Sequence, residues 1–160
     1  MCMPSVLRFY AGYGSNLCLA QMLRRCPAAR PLAAGTLQAH RLVFRGVADL
    51  VAAPSHSVPV GLYAITPGCE AELDIYEGFP RLYRKMDVTV ETEASPVRAF
   101  VYVMSGNYFA PPRNAYFSVI EEGYRDWGFD RAPLEGALDH ARVHATGHGR
   151  APRRLRGAAA

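Results

Sequence analysis

Residues 69–83 read CEAELDIYEGFPRLY, a short helical pattern followed by a glycine and a loop that contains Pro and Tyr. At 100° per residue, Cys69, Leu73 and Tyr76 share one narrow sector of such a helix. Glu77 lies at the border of this sector, immediately before the glycine that favours the end of the helix. A carboxylate there loses solvent and feels the negative end of the helix dipole, and both effects raise its pKa. Glu77 is therefore a candidate proton carrier near neutral pH.

Two other interpretations of this pattern stay open. A glutamate at the end of a helix can be a solvated side chain beside a glycine cap. Glu70 lies seven residues earlier on almost the same face, so periodicity alone does not separate it from Glu77. Position favours Glu77, because the loop that follows it is rich in Gly, Pro and Tyr.

A second candidate site lies near the N-terminus, where Tyr13-Gly14-Ser15-Asn16 joins a predicted strand (6–11) to a predicted helix (17–26). Backbone N–H groups at such a turn can bind a carboxylate or a developing oxyanion. The dinucleotide-binding fingerprint is incomplete here, because Gly12 and Gly14 are not followed by the third glycine. Ser15 lies outside a G-x-S-x-G motif and has no evident His partner, which argues against a serine hydrolase.

The remaining pattern predicts more strands than helices. Strands are expected at residues 35–44, 47–52, 58–65, 85–91 and 97–104, and helices at 67–77, 114–127 and 133–143. Strands and helices do not alternate strictly, which disfavours a doubly wound sheet. The prediction is an α+β fold with a mixed, strongly curved β-sheet or small β-barrel and flanking helices. We expect one domain over residues 1–147 and a basic, disordered tail over 148–160.

The net charge of +4 comes from this tail. Four of the 18 basic residues lie in the last eleven residues, which contain no acid, so the rest of the chain is balanced. The pattern therefore gives little support to a nucleic-acid-binding face, and no nucleic-acid partner is expected.

Other classes of protein are also disfavoured. No run of about 18 apolar residues indicates a membrane span, and no signal-peptide pattern is present, so no membrane association and a cytoplasmic location are expected. Neither zinc-type nor disulfide-scaffold spacing relates the four cysteines, which we interpret as free thiols. His140, His144 and His148 have a spacing compatible with metal ligation, but Gly147 and Gly149 interrupt the helix there. No metal is expected.

Taken together, the two candidate segments resemble the γ-glutamylcyclotransferase-like (AIG2-like) superfamily. Its members have a Tyr-Gly-Ser-Asn loop after the first strand and a Glu in an L-D-x-x-E-G-x-x-x-x-Y pattern. Here these motifs are Tyr13–Asn16 and Leu73–Gly78 followed by Tyr83. The resemblance covers about residues 8–127 and includes Ala110–Tyr116 and Glu122–Tyr124.

The resemblance implies a cavity in which the loop faces Glu77. It also implies a cofactor-independent enzyme that cyclises the γ-glutamyl group of a small-molecule substrate to 5-oxoproline and releases an amine or amino acid. Glu77 would be the catalytic acid and base. Tyr13, Gly14, Ser15 and Asn16 would hold the glutamyl carboxylate or carbonyl, and Tyr116 would form a cavity wall.

Alternatives to this expected function are removal of a γ-glutamyl protecting group in a biosynthetic pathway and a non-catalytic module that binds a small carboxylate or amine. The leaving amine and the oligomeric state stay open. Arg113 stands where relatives commonly have a small polar residue. It could bind a second carboxylate or face solvent, and of these two we expect it to face solvent.

Overall fold

The computed structural model of the chain describes residues 7–104 and 106–145. It contains one mixed sheet of five strands in the order β2-β3-β1-β5-β4. The pairing of β1 with β5 is parallel and the other pairings are antiparallel. The strands are β1 (Arg8–Gly12), β2 (Arg30–Phe44), β3 (Ala48–Ile65), β4 (Tyr83–Val90) and β5 (Val97–Met104).

The second and third strands are longer than the sequence pattern predicts. β2 begins at Arg30 rather than Gly35, and the strands predicted at 47–52 and 58–65 form one strand, β3. The ladder between them is interrupted where Ala39, at a φ of 59°, stands opposite residues 53–56. The turn-like residues between 52 and 58 therefore form an exposed irregularity inside one long hairpin, not a loop between two strands.

The sheet is curved enough for its two edges to meet at one point. Backbone N–H groups of Thr36 and Glu91 each donate to the other's carbonyl oxygen at 2.9 Å, which joins β2 to the end of β4. A second bridge pairs Arg45 with Ala110. This confirms the predicted mixed, strongly curved sheet, but within the described residues the edges stay open elsewhere, so the sheet does not close into the small barrel.

Four α-helices flank the sheet. A 3-10 turn at Ser15–Leu17 precedes the first helix, which begins at Leu19 instead of the predicted Leu17. The other helices agree with the sequence pattern to within one residue. The helices are α1 (Leu19–Arg25), α2 (Pro67–Glu77), α3 (Asn114–Trp127) and α4 (Ala132–Val143).

Local sequence explains the bounds of α2. The Thr66 side chain accepts a hydrogen bond from Cys69 N at 3.1 Å, and Pro67 occupies the first helical position. Gly78 ends the helix in the left-handed region with a φ of 68°, where a Cβ would be strained.

The sheet and the helices share one hydrophobic core. Cys18, Cys26 and Cys69 are buried free thiols, as predicted. Within the described part of the chain, no helix is long and apolar enough to cross a membrane. Cys2, His148 and the predicted tail at 148–160 lie outside the described residues.

Candidate active site

The residues that the sequence singles out lie around one small cavity. Glu77, the loop residues Tyr13–Asn16 and Tyr116 all contribute to its wall. Two segments more than 60 residues apart in sequence therefore meet in one place. Among the described residues, the lining is Tyr10, Tyr13, Gly14, Ser15, Asn16, Ala48, Glu77, Tyr83, Tyr102 and Tyr116.

Packing of α3 holds the loop at this cavity. The Leu17 N–H donates to the Gly14 carbonyl at 3.0 Å and closes the 3-10 turn. The Trp127 indole Nε1 donates to the Leu17 carbonyl at 2.8 Å. A Cβ added at Gly123 would come within 2.5 Å of the Leu17 Cβ, so only glycine allows this approach between helix and turn. Contacts with α3 on the side away from the cavity thus hold the loop backbone in one position, as precise recognition of a small group requires.

Glu77 enters the cavity from the end of α2 and is 8% exposed. One of its carboxylate oxygens, Oε1, accepts a hydrogen bond from Asn16 Nδ2 at 3.2 Å. The Phe79 N–H donates to the Asp74 carbonyl at 2.9 Å, which secures the turn after the helix. The carboxylate therefore has a fixed position and little contact with solvent.

Both ends of the Asn16 side-chain amide and its backbone carbonyl form hydrogen bonds with protein groups. Its Nδ2 also donates to the Tyr10 hydroxyl at 2.9 Å, and its Oδ1 accepts from Arg25. Its backbone carbonyl accepts from the Tyr63 hydroxyl at 2.7 Å. These bonds connect the loop, β1, β3, α1 and Glu77 in one network.

Five tyrosines line the cavity. The pKa of Tyr10 is well above its ordinary value because the ring is buried and Glu77 is near. Burial, followed by the charge of Asp49, raises the pKa of Tyr13. Burial, followed by the hydrogen bond to Asp74, raises the pKa of Tyr102. These hydroxyls consequently stay neutral over the physiological pH range.

Ala48 links three further parts of the wall. Its N–H donates to the Tyr116 hydroxyl at 3.1 Å, and its carbonyl accepts from the Tyr83 hydroxyl at 2.9 Å. A Cβ at Gly14 would lie 3.0 Å from the Ala48 Cβ and 3.5 Å from the Tyr116 hydroxyl. A side chain at Gly14 would therefore be in unfavourably close contact with Ala48.

A buried ion pair adjoins this wall. Arg45 Nε donates to Asp49 Oδ2 at 2.7 Å, and the other carboxylate oxygen accepts from Met104 N at 2.8 Å. Arg45 also donates to the Tyr108 carbonyl at 2.6 Å. The pair thus fixes the end of β5 and the segment after it.

Sequence reasoning did not assign Tyr10, Ala48, Tyr102 or Arg25 to the site. Tyr10 and Tyr102 lie inside predicted strands, where an aromatic residue has a sufficient explanation in core packing. A tyrosine hydroxyl between apolar neighbours in a predicted strand could have indicated a polar site, because a buried hydroxyl needs a hydrogen-bond partner.

The other predicted positions lie away from the cavity. Arg113 is exposed at the N-terminal cap of α3, as expected. The rings of His140 and His144 stack with their centroids 4.2 Å apart. Among residues 7–104 and 106–145, no group of three or more His, Cys, Asp or Glu side chains could hold a metal ion.

Comparison with family models gives a match to "Gamma-glutamyl cyclotransferase, AIG2-like" over residues 10–127, most of the chain. The chain belongs to this family. The matched region includes the Tyr13–Asn16 loop, Glu77 and Tyr116, and thus the whole lining of the cavity. No curated protein matches the chain.

Solved structures show the same fold as this AIG2-like chain. A structure of a γ-glutamyl cyclotransferase has a TM-score of 0.73 and 23% identity, covering 89% of this chain and 90% of its own. An uncharacterized protein from Homo sapiens has a TM-score of 0.71 and 23% identity, covering 91% and 92%. YkqA from Bacillus subtilis has a TM-score of 0.71 and 20% identity, and the match covers 88% of this chain and 56% of YkqA.

Proposed function

We propose that this AIG2-like protein is a cofactor-independent γ-glutamyl cyclotransferase with Glu77 as general base and general acid. The observation that carries the proposal is the meeting of a nearly buried, hydrogen-bonded carboxylate and the Tyr13–Asn16 loop in one small cavity. Family membership supports the reaction class.

The reaction needs a proton acceptor and then a proton donor at one place. The α-amine of the γ-glutamyl group attacks its own γ-carbonyl carbon, so that a C–N bond forms and the carbonyl oxygen becomes an oxyanion. Glu77 takes the proton that the attacking nitrogen loses. It then returns this proton to the leaving nitrogen as the original amide bond breaks, which gives 5-oxoproline and a free amine. The protein forms no covalent bond with the substrate.

The loop supplies the complementary group. N–H groups at the start of a helical turn have no acceptor within the turn and can bind a carboxylate or an oxyanion. Gly14 and Ser15 occupy this place in the cavity wall, and Gly14 leaves room beside Ala48. The raised pKa values of Tyr10, Tyr13 and Tyr102 keep these hydroxyls protonated, so they do not compete with Glu77 for the substrate's proton.

The lining of the cavity supports a small polar reacting group. Its wall combines the Glu77 carboxylate, the Asn16 amide and several tyrosine hydroxyls, and a few polar groups placed in this way fix the orientation of a ligand. The same chemistry would serve the removal of a γ-glutamyl protecting group, in which the leaving amine alone differs.

The test is release of 5-oxoproline from a panel of γ-glutamyl amino acids and γ-glutamylamines. Glu77→Gln should lower kcat by at least about 100-fold, the usual contribution of a positioned acid or base. Glu72→Gln is the matched control, because Glu72 is exposed on the same helix. Activity should also fall at acid pH, where a protonated Glu77 cannot accept a proton.

Two outcomes would contradict the proposal. Full activity of Glu77→Gln would remove Glu77 from the mechanism. Binding of γ-glutamyl compounds in calorimetry without any 5-oxoproline would show a non-catalytic binding module instead.

A further inference from the structure

Arg25 is not among the described residues that line the cavity, yet it makes an ordered set of contacts next to it. Its NH2 nitrogen donates to Gln21 Oε1 at 2.6 Å and to the Tyr76 hydroxyl at 2.7 Å. The centre of its guanidinium lies 3.7 Å from the centroid of the Tyr76 ring. Its NH1 nitrogen donates to Asn16 Oδ1. The guanidinium is thus held between α1 and α2, with one donor aimed at the catalytic loop.

The chemistry of these groups fixes which way the Asn16 amide points. A guanidinium has only donors, so the Asn16 atom that faces Arg25 must be the carbonyl oxygen. The NH₂ group then faces Glu77 and the Tyr10 hydroxyl, where it donates at 3.2 Å and 2.9 Å. An amide turned by 180° would place its oxygen against the Glu77 carboxylate and its NH₂ against Arg25. Arg25 therefore excludes the one orientation that would repel an ionised Glu77.

Two other carboxylates of this region, Asp74 and Asp49, have cationic partners of their own. Asp74, on the same helix, pairs with Lys85 at 2.9 Å. Asp49, on β3, pairs with Arg45 at 2.7 Å.

Among the described residues, the titratable groups that line the cavity with Glu77 are the tyrosines at positions 10, 13, 83, 102 and 116. Arg25 is the cation that the hydrogen bonds of Asn16 connect to Glu77.

We propose that Arg25 is a positioning residue for the cyclotransferase reaction. Through Asn16 it holds the Glu77 carboxylate in place and favours its ionised form, the form that accepts the substrate's proton. This inference rests on the proposed function for its catalytic consequence. The coupling of Arg25 to Glu77 is a separate property, which can be measured without turnover.

The first measurement follows the carboxyl group of Glu77 by ¹³C NMR as a function of pH, assigned by comparison with Glu77→Gln. Arg25→Met removes the N–H donors and the charge but keeps much of the aliphatic side chain. Arg25→Lys keeps the positive charge but not the planar arrangement of donors. Arg24→Met is the matched control, since Arg24 is exposed on the same helix. We expect Arg25→Met to move the Glu77 titration to higher pH, Arg25→Lys to restore part of the change, and Arg24→Met to have no effect.

The second measurement tests whether Asn16 carries the effect. In an Asn16→Leu background, Arg25→Met should change the titration of Glu77 much less than in the wild type, because the connecting amide is gone. In assays of 5-oxoproline release, Arg25→Met should lower kcat/KM by about 10- to 100-fold, the range for one hydrogen bond to a charged group, and move the acid limb of the pH profile upward.

Three results would overturn the inference. The first is a lower melting temperature of Arg25→Met with an unchanged Glu77 titration, which would show a purely structural role. The second is an equal shift in the Asn16→Leu background, which would show direct action of the charge. The third applies if Arg25→Met does not fold, and is an unchanged Glu77 titration in a folded Arg25→Gln, which lacks the positive charge. If the wild type releases no 5-oxoproline from any substrate, the proposed function fails while the NMR titration still reports the coupling.

Discussion

An added methyl group at Gly123 should disturb the packing that supports the Tyr13–Asn16 loop. Gly123 lies in α3, where Ala is favoured over Gly by about 0.8–1.0 kcal/mol through helix propensity alone. Here, however, the new Cβ would lie 2.5 Å from the Leu17 Cβ and 2.7 Å from both the Leu17 carbonyl carbon and the Cys18 nitrogen. Two of these three atoms belong to the backbone, so rotation of a side chain cannot relieve the contact.

The magnitude follows from the distances. Carbon atoms pack best at about 3.5–4.0 Å, so α3 and the 3-10 turn would have to separate by about 1 Å. Overpacking of this kind costs about 1–3 kcal/mol, from which the gain in helix propensity must be subtracted. We expect Gly123→Ala to lower the free energy of unfolding by up to about 2 kcal/mol, and Tm by up to about 4–8 °C.

Gly136→Ala is the matched control. Gly136 also lies in a helix, α4, and a Cβ there would meet nothing within 4 Å. This variant should be stabilised by about 0.5–1 kcal/mol through propensity alone. Thermal and urea denaturation of both variants give the comparison. A Gly123→Ala protein as stable as Gly136→Ala would refute the close packing of α3 on the loop.

Two further predictions concern charge. Asp49→Asn should lower the free energy of unfolding by about 3–5 kcal/mol, because it leaves the buried Arg45 without a counter-charge. Urea denaturation measures this loss, and a value below about 1 kcal/mol would contradict the prediction. Burial, followed by the charges of Arg41 and His144, lowers the pKa of His140, so the unfolded chain binds its proton more readily than the folded protein. Stability should therefore fall as the pH drops below about 6.5, and His140→Gln should lose less Tm than the wild type between pH 8 and pH 5.5; equal losses would argue against this assignment.

Local signals were sufficient to predict α2. The Thr66 cap, Pro67 at the first turn and Gly78 at the end act within the helix itself, so its observed bounds agree with the pattern. The same signals misled at β3, where Pro54 and its polar neighbours favour a turn in isolation. Pairing of β3 with β2 along both flanks keeps the strand continuous, and such long-range pairing leaves no local trace in the sequence.

For the site, the sequence predicts its members better than their connections. Glu77 and the Tyr13–Asn16 loop were recognised by type and spacing, and the structure places them around one cavity. Arg25 was not recognised, because an arginine at the end of a short helix usually faces solvent. Its contact with Asn16 depends on how α1 folds back against the 3-10 turn, which periodicity does not determine.

The curvature of the sheet also affects how the protein meets other molecules. An edge strand offers unpaired N–H and C=O groups that can add a strand from another chain and begin aggregation. Here the chain itself pairs some of these groups on β2. Thr36 exchanges hydrogen bonds with Glu91, and the Phe44 carbonyl accepts from the N–H of Ala110 at 3.1 Å. A strand from another chain cannot continue its pairing with β2 past these two positions. The curvature of the sheet therefore also shortens the length of edge strand on which another chain could add.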